Sequence, residues 1–194
     1  GASLSVAVLE AGIADAAIES AIDAPVQDAD AAERLDAVAA LAEPDRLEAA
    51  RTWLRPTARD AGAPTVEAWV DHFALGEPVL SSVLRRWARE HAGHGLTVVV
   101  RPTALDAIRV GMRRVPTEPS QARAALDARV EELGLTRGEA LDPGAPAGRR
   151  LEALERDVAV WVVDRRGRVV ARIAGRSVID PRALEEAVQR VATR

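Results

Sequence analysis

No cysteine occurs among the 194 residues of this chain, which removes disulfides, thiolate nucleophiles and thiolate metal sites together. The absence says nothing about compartment, because a chain without thiols suits either redox environment. Lysine, asparagine and tyrosine are missing too, so all 26 basic residues are arginine, a bias that a high-GC genome explains without any appeal to function. No apolar run approaches the roughly 20 residues a membrane-spanning helix needs, and no basic segment precedes an apolar one in the manner of a signal peptide. The expectation is a soluble protein, cytoplasmic or, if a signal peptide was removed before Gly1, extracytoplasmic. One-signed charge is lacking as well. The net charge of −4 comes from 30 acidic and 26 basic residues without a dense block, which leaves no electrostatic footprint for nucleic acid. There is no G-x-G-x-x-G after a strand and no Walker-type loop, so no cofactor is expected.

What is present is best read outward from Val158 to Ala174. Two apolar runs face each other across Asp164-Arg165-Arg166-Gly167, which is the pattern of a β-hairpin. Val158 to Val163 is almost continuously apolar, as a strand buried on both faces must be, whereas Arg168 to Ile173 mixes apolar residues with Arg168 and Arg172. The first strand is therefore central and the second nearer an edge. Gly167 supplies backbone freedom for the loop, and the Asp164 carboxylate can accept from the turn amides.

Three helices are expected before residue 60. The first spans Ser3 to Ala24, with Val6, Leu9, Ile13, Ala17, Ile18 and Ile22 as its apolar side, and Pro25 marks its end. A second, capped by Asp28 or Asp30, runs to Leu41 and is stopped by Pro44. A third starts at Asp45 as N-cap and ends at Pro56. This prefix is either a cover for the core or an arm that docks a partner. Beyond the turn-rich Asp60 to Pro64, Thr65 to Phe73 alternates like a strand, Val79 to His91 forms a helix with Leu80, Val83, Leu84 and Trp87 on one side, and Leu96 to Val100 is a short strand. That is a β-α-β unit, which implies parallel neighbouring strands. Ile108 to Val115 reads as a strand or the start of a helix. Ser120 to Leu133 is a helix with Ala124, Leu126, Val130 and Leu133 inward. Leu141 to Gly144 is a turn, Pro146 to Leu154 a short helix, and Asp180-Pro181 opens a last helix over Arg182 to Val191 with Leu184, Val188 and Val191 inward.

This order, with the content of two segments, resembles the thioredoxin-like superfamily and in particular its thiol-disulfide oxidoreductase and peroxiredoxin-related branch, over roughly Pro64 to Arg194. Trp161 to Gly175 is similar to that branch's Phe-Val-Ile-Asp-Arg-Asp-Gly-Arg-Val-Val-Ala-Arg-Ile-Ala-Gly, and Gly138 to Gly144 stands where its Phe-Pro-Val-Leu-Leu-Asp-Pro-Asp-Gly would. The resemblance implies an α/β fold, a thioredoxin-like mixed sheet flanked by helices over residues 61–194, with a helical extension over 1–60. The branch's chemistry depends on a Trp-Cys-x-x-Cys turn at a helix N-terminus, which favours the thiolate. Here Phe73 to Val79 occupies that turn, with Gly76 and Val79 in place of the two cysteines and Glu77-Pro78 between them. The proline that the family places before its penultimate strand is also missing from Asp157 to Val160.

The chemistry left over is modest. Glu77 stands beside a helix N-terminus as a dipole-favoured carboxylate or a partner's anchor. His72 and Glu77 are the candidates for a cysteine-independent enzyme, since a catalytic histidine needs an oriented carboxylate nearby. Glu90, His91 and His94 crowd within five positions, but Gly93 breaks the helix between the histidines and no distant third ligand is evident, so no metal site is expected. The four tryptophans, Trp53, Trp69, Trp87 and Trp161, fall on apolar faces, with Trp69 placed to line a groove. The leading expectation is a redox-inactive binding or assembly module for a protein or peptide partner, recognised through Trp69, Gly76, Glu77, Pro78, Val79 and the loop at Val158. Its rivals are the His72–Glu77 enzyme and a prefix that itself docks the partner.

Overall fold

A computed structural model describes residues 2–55, 59–138, 146–176 and 179–193. The chain divides into two compact units, Gly1–Thr57 and Ala58–Arg194.

The first unit is three helices: α1 (Ala2–Asp23), α2 (Ala31–Ala37) and α3 (Pro44–Leu54). Ala14, Ile18, Ala21 and Ile22 of α1 are buried, as are Leu35 of α2 and Leu47, Ala50 and Trp53 of α3. The indole of Trp53 donates to the Ile22 carbonyl (3.0 Å), and Arg46 reaches from α3 to both Asp15 (2.7 Å) and Glu19 (2.8 Å) on α1. Three expectations need correction. Val6, Leu9 and Ile13 are exposed rather than inward. At 1.5 Å per residue α1 is about 33 Å long, and two helices of 7 and 11 residues cannot cover its whole length. α2 stops at Ala37 and hands over to turns. Pro44 opens α3 instead of merely ending its predecessor, since a proline at the first helical position sacrifices no hydrogen bond; Glu43, not Asp45, is the N-cap residue.

The second unit is built on a five-stranded sheet of order β5-β2-β1-β6-β7, from β1 (Thr65–Val70), β2 (Thr97–Pro102), β5 (Thr136–Arg137), β6 (Val158–Val163) and β7 (Val169–Gly175). β1, β2 and β5 run parallel, and β6 is antiparallel to both β1 and β7. The hairpin is therefore β6 and β7, with β6 central and β7 at the edge as its composition required. Asp164 Oδ1 accepts from the Arg166 amide (2.9 Å) and the Arg168 amide (3.0 Å), and Gly167 takes the left-handed backbone (φ 75°). Close approach fixes Gly167 too: its amide plane packs on residue 59, where Arg59 N donates to the Gly167 carbonyl (2.7 Å), and a Cβ would sit 1.9 Å from Arg59 O.

Register puts Val66, Ala68 and Val70 beside Val98, Val100, Val160 and Val162 on one face. Into that face pack α5 (Pro78–His91), α6 (Pro119–Glu132) and α8 (Arg182–Ala192), through Leu80, Leu84 and Trp87, Leu126 and Val130, and Leu184 and Val188. On α6 the inward alanine is Ala122, not Ala124. Trp87 of α5 donates to Glu185 of α8 (3.0 Å), so its indole N–H is satisfied at the edge of the core. Strand β1 ends at Val70, earlier than the alternation to Phe73 implied. Asp71 caps a short helix, α4 (His72–Leu75), by accepting from Ala74 N (2.7 Å). The stretch that reads ambiguously from its residues is a second, two-stranded sheet, β3 (Ala107–Val110) paired antiparallel with β4 (Arg113–Pro116). Helix α7 (Pro146–Ala153) precedes β6. The expected turn over Leu141 to Gly144 lies outside the described residues. A mixed sheet with parallel β1 and β2 joined through α5, then α6, the β6–β7 hairpin and α8, is the thioredoxin-like α/β fold.

Candidate functional site

The turn from Phe73 to Val79 runs from α4 into α5, and register brings the start of β6 to the same end of the sheet, since Trp69 pairs with Ala159. What fills the turn is an arginine. Arg109 of β3 bonds through Nη1 to Glu77 Oε1 and to the Phe73 carbonyl (3.2 Å). Its Nε donates to the Gly111 carbonyl (2.8 Å), and its guanidinium lies over the Phe73 ring, 4.8 Å from the centroid. The side chains of Arg109 and Glu77 keep only 10% and 19% of their exposure, so solvent screens this pair weakly. Gly76 makes the fit possible: a Cβ there would lie 2.4 Å from Arg109 Cδ.

A second arginine ties down the same hairpin. Arg114 of β4 pairs with Asp71 Oδ2 (2.5 Å) and with Asp106 (3.2 Å), so the carboxylate that caps α4 also anchors β4. The backbone of Arg109 completes the attachment by donating to His72 Nδ1 (2.9 Å). That bond needs the lone pair on Nδ1, which puts the proton of the neutral ring on Nε2. Burial, aided by the charges of Arg129 and Arg109 and opposed by Asp71, holds the His72 imidazole below its ordinary pKa. The hydrogen bonds of His72 and of Glu77 thus run to Arg109, not to each other.

Pro78 and Val79 stand exposed at the head of α5, Val79 retaining 53% of its surface. Met112 at the hairpin tip is 79% exposed, and its sulfur is 3.3 Å from Arg109 Nη2, so the tip and the head of α5 meet around one guanidinium. Val158, expected to present a recognition loop, is fully buried in the core and paired with Gly175; its side chain offers nothing at the surface.

Trp69 belongs to the opposite face of the sheet. Its ring lies 5.4 Å from that of Trp161, with Arg101 5.6 Å above Trp69 and Arg59 5.2 Å from Trp161. Between the two guanidiniums sits Glu67, almost fully buried, paired with Arg59 (3.1 Å) and Arg101 (3.0 Å). Arg172, opposite Trp161 in register, is lowered to about 10 by burial. The alternation of β1 predicts Glu67 on that face, but not that two arginines close over it.

Asp71, Arg109 and Arg114 are the residues that sequence reasoning missed here. A signal existed: Ile108-Arg109-Val110 and Met112-Arg113-Arg114-Val115 are two short β-compatible runs of apolar and basic residues either side of Gly111, which is hairpin patterning. Among the described residues no group of three or more His, Asp or Glu side chains could hold a metal ion. None of the described helices is long and apolar enough to cross a membrane.

A thioredoxin-like fold without a cysteine is what these strands and this composition define. No protein-family model matches the chain, and no curated protein does. Solved structures with a distant likeness include three thiol-disulfide proteins. A putative thiol:disulfide interchange protein DsbE from Chlorobium tepidum is 13% identical, with 68% of this chain and 82% of that one covered and a TM-score of 0.45. A thiol-disulfide oxidoreductase from Bacteroides fragilis is 11% identical over 70% and 86% (TM-score 0.43), and a thio-disulfide isomerase from Thermus thermophilus 20% identical over 66% and 78% (TM-score 0.41). At TM-scores below 0.5 none of these carries the argument; the fold stands on strand order, direction and connection.

Proposed function

We infer that the chain is a binding module on a thioredoxin-like scaffold that has no thiol chemistry, and that it holds a protein or peptide partner where the head of α5 meets the tip of the β3–β4 hairpin. The observation that carries this reading is the joint exposure of Pro78, Val79, Val110 and Met112 around a turn whose interior Arg109 fills. Large apolar side chains gathered at one place on a surface mark interaction sites more often than single ones do, and Met adapts to varied partners. In this reading Gly76 and Glu77 hold the hairpin, Pro78 and Val79 touch the partner, and the face carrying Trp69 is structural. The helical extension is a unit of its own over Gly1–Thr57, shorter than the 1–60 expected because Arg59 packs with the second unit.

The test is affinity capture with the intact chain and with a Val79→Glu/Met112→Glu variant, both confirmed as folded by their melting curves. Loss of specific partners from the variant is the expected result. An unchanged set of captured proteins refutes the assigned surface, and disulfide reductase activity in the purified chain refutes the module itself. A second reading, in which the helical unit docks the partner, is favoured by the exposed Val6, Leu9 and Ile13 on α1. Leu9→Glu/Ile13→Glu would then abolish capture while Val79→Glu/Met112→Glu leaves it intact.

A further inference from the structure

At the far end of the β6–β7 hairpin the loop meets the last turns of α8 across a cleft of about 430 Å³. Four arginines line it, Arg165, Arg166, Arg168 and Arg190, against a single acidic residue, Asp164. That carboxylate is already used: it accepts from Arg168 through Oδ2 (2.7 Å) as well as from the two loop amides. Among the described residues the Arg165 side chain reaches the His94 carbonyl (3.4 Å), and Arg190 Nε donates to the Glu186 carbonyl (3.2 Å). Among the described residues Arg165, Arg166 and Arg190 form no ion pair, although acidic residues outnumber basic ones in the chain as a whole. All four arginines are exposed, so solvent screens their mutual repulsion, but like charges gathered around one concave place still favour an anion that answers them. Arg190 in the last turn of α8 suits the negative helix end, and Arg168 is held by Asp164; Arg165 and Arg166 have neither reason to converge there.

We propose that this cleft binds a small organic phosphate, a group with at least two negative charges joined to a compact apolar ring. Guanidiniums match phosphate oxygens in paired hydrogen bonds. The floor formed by Val170, Ala187 and Val191 offers the ring an apolar seat, and the volume falls in the range of small-molecule sites rather than of extended peptide grooves. This site is independent of the partner surface at the head of α5.

Isothermal titration of the full chain with adenosine diphosphate, pyrophosphate, inorganic phosphate and a hexaglutamate peptide tests it. Adenosine diphosphate is expected to bind most tightly. Exposed charge pairs contribute modestly, so Arg166→Glu/Arg190→Glu should weaken binding roughly tenfold or more. Arg123→Glu, an equal charge change per residue on α6 beside the opposite edge of the sheet, should leave it intact. On the unaltered chain the Gly167 and Val191 amide resonances should move on titration. No binding at millimolar ligand, binding unaffected by the double reversal, or unmoved amides at Gly167 and Val191 would overturn the proposal. Hexaglutamate or inorganic phosphate binding as tightly as adenosine diphosphate would overturn it as well, the first by making the cleft a peptide site and the second by leaving the apolar floor without a role.

Discussion

Replacing Arg109 by methionine tests whether one side chain holds the hairpin over the turn. Methionine keeps much of the aliphatic contact with Phe73 and removes the charge and all its donors. Four bonds go: to Glu77, to the Phe73 carbonyl, to the Gly111 carbonyl and a weak one to the Met112 sulfur. A hydrogen bond to a charged group contributes about 1.5–3 kcal/mol and a neutral one about 1. Gly111 sits on an exposed turn where water replaces the donor, so Arg109→Met should cost about 2–3 kcal/mol. Glu77→Gln keeps shape and an acceptor and should cost about 1 kcal/mol. Once Arg109 is gone Glu77 has no cation to lose, so the double variant should cost about 1 kcal/mol less than the sum. Urea unfolding followed by tryptophan fluorescence measures all three, with exchange of the Thr117 amide, bonded to the Asp106 carbonyl (2.9 Å), reporting on the hairpin. Additive costs, agreeing within about 0.3–0.5 kcal/mol, would refute the coupling and with it the account of how the turn is filled.

His72 makes stability depend on pH. Its folded pKa lies below the ordinary 6.5, so the unfolded chain binds the proton more readily; the contribution is present above pH 6.5 and is lost as pH falls through the folded value. Urea midpoints between pH 8 and 5 should therefore decline in the wild type more than in His72→Gln, and equal slopes would contradict the assignment. Gly167→Ala must leave the left-handed region or pay for it, and its Cβ meets the Arg59 carbonyl; a loss of at least about 2 kcal/mol is expected, and a neutral result in thermal melts would show that the contact is not held in solution. Glu67→Ala leaves Arg59 and Arg101 facing each other over the two tryptophans, and a cost of about 3 kcal/mol should appear with a changed tryptophan emission. A loss below about 0.5 kcal/mol would mean that the guanidiniums relax freely to water.

The sheet was legible because its strands carry their own signals. Val158 to Val163 can be nothing but central, and Asp164 and Gly167 announce the loop between it and its partner. The β1–α5–β2 unit was legible for the same reason, through Leu80, Leu84 and Trp87 on one helix face. What could not be read were features set by distant residues. Phe73 continues an alternating pattern, yet the strand stops at Val70 because the Asp71 carboxylate captures the Ala74 amide. Val6, Leu9 and Ile13 have helical spacing, but spacing does not say whether a neighbour is long enough to cover them. At the candidate site Gly76, Glu77, Pro78 and Val79 were found from their place in the chain. Arg109, more than thirty residues later, was not, because nothing local distinguishes a cation that fills a turn from one that faces water. Val158 was misjudged for the opposite reason: it opens the strand read as buried, yet it was also given a place on the recognition surface, and register keeps it wholly in the core.

The packing of Arg109 against Gly76 sets how this scaffold could acquire a dithiol. Cysteines at positions 76 and 79 would not be enough, because a side chain at 76 collides with Arg109 Cδ and the helix end that would favour a thiolate is already beside the Glu77 carboxylate. At least one further change, a smaller residue at 109, has to come first or at the same time. A cysteine at the exposed position 79 meets no such obstacle, but one at 76 begins by loosening the hairpin, so the order in which a dithiol could arise is set by the contact with Arg109.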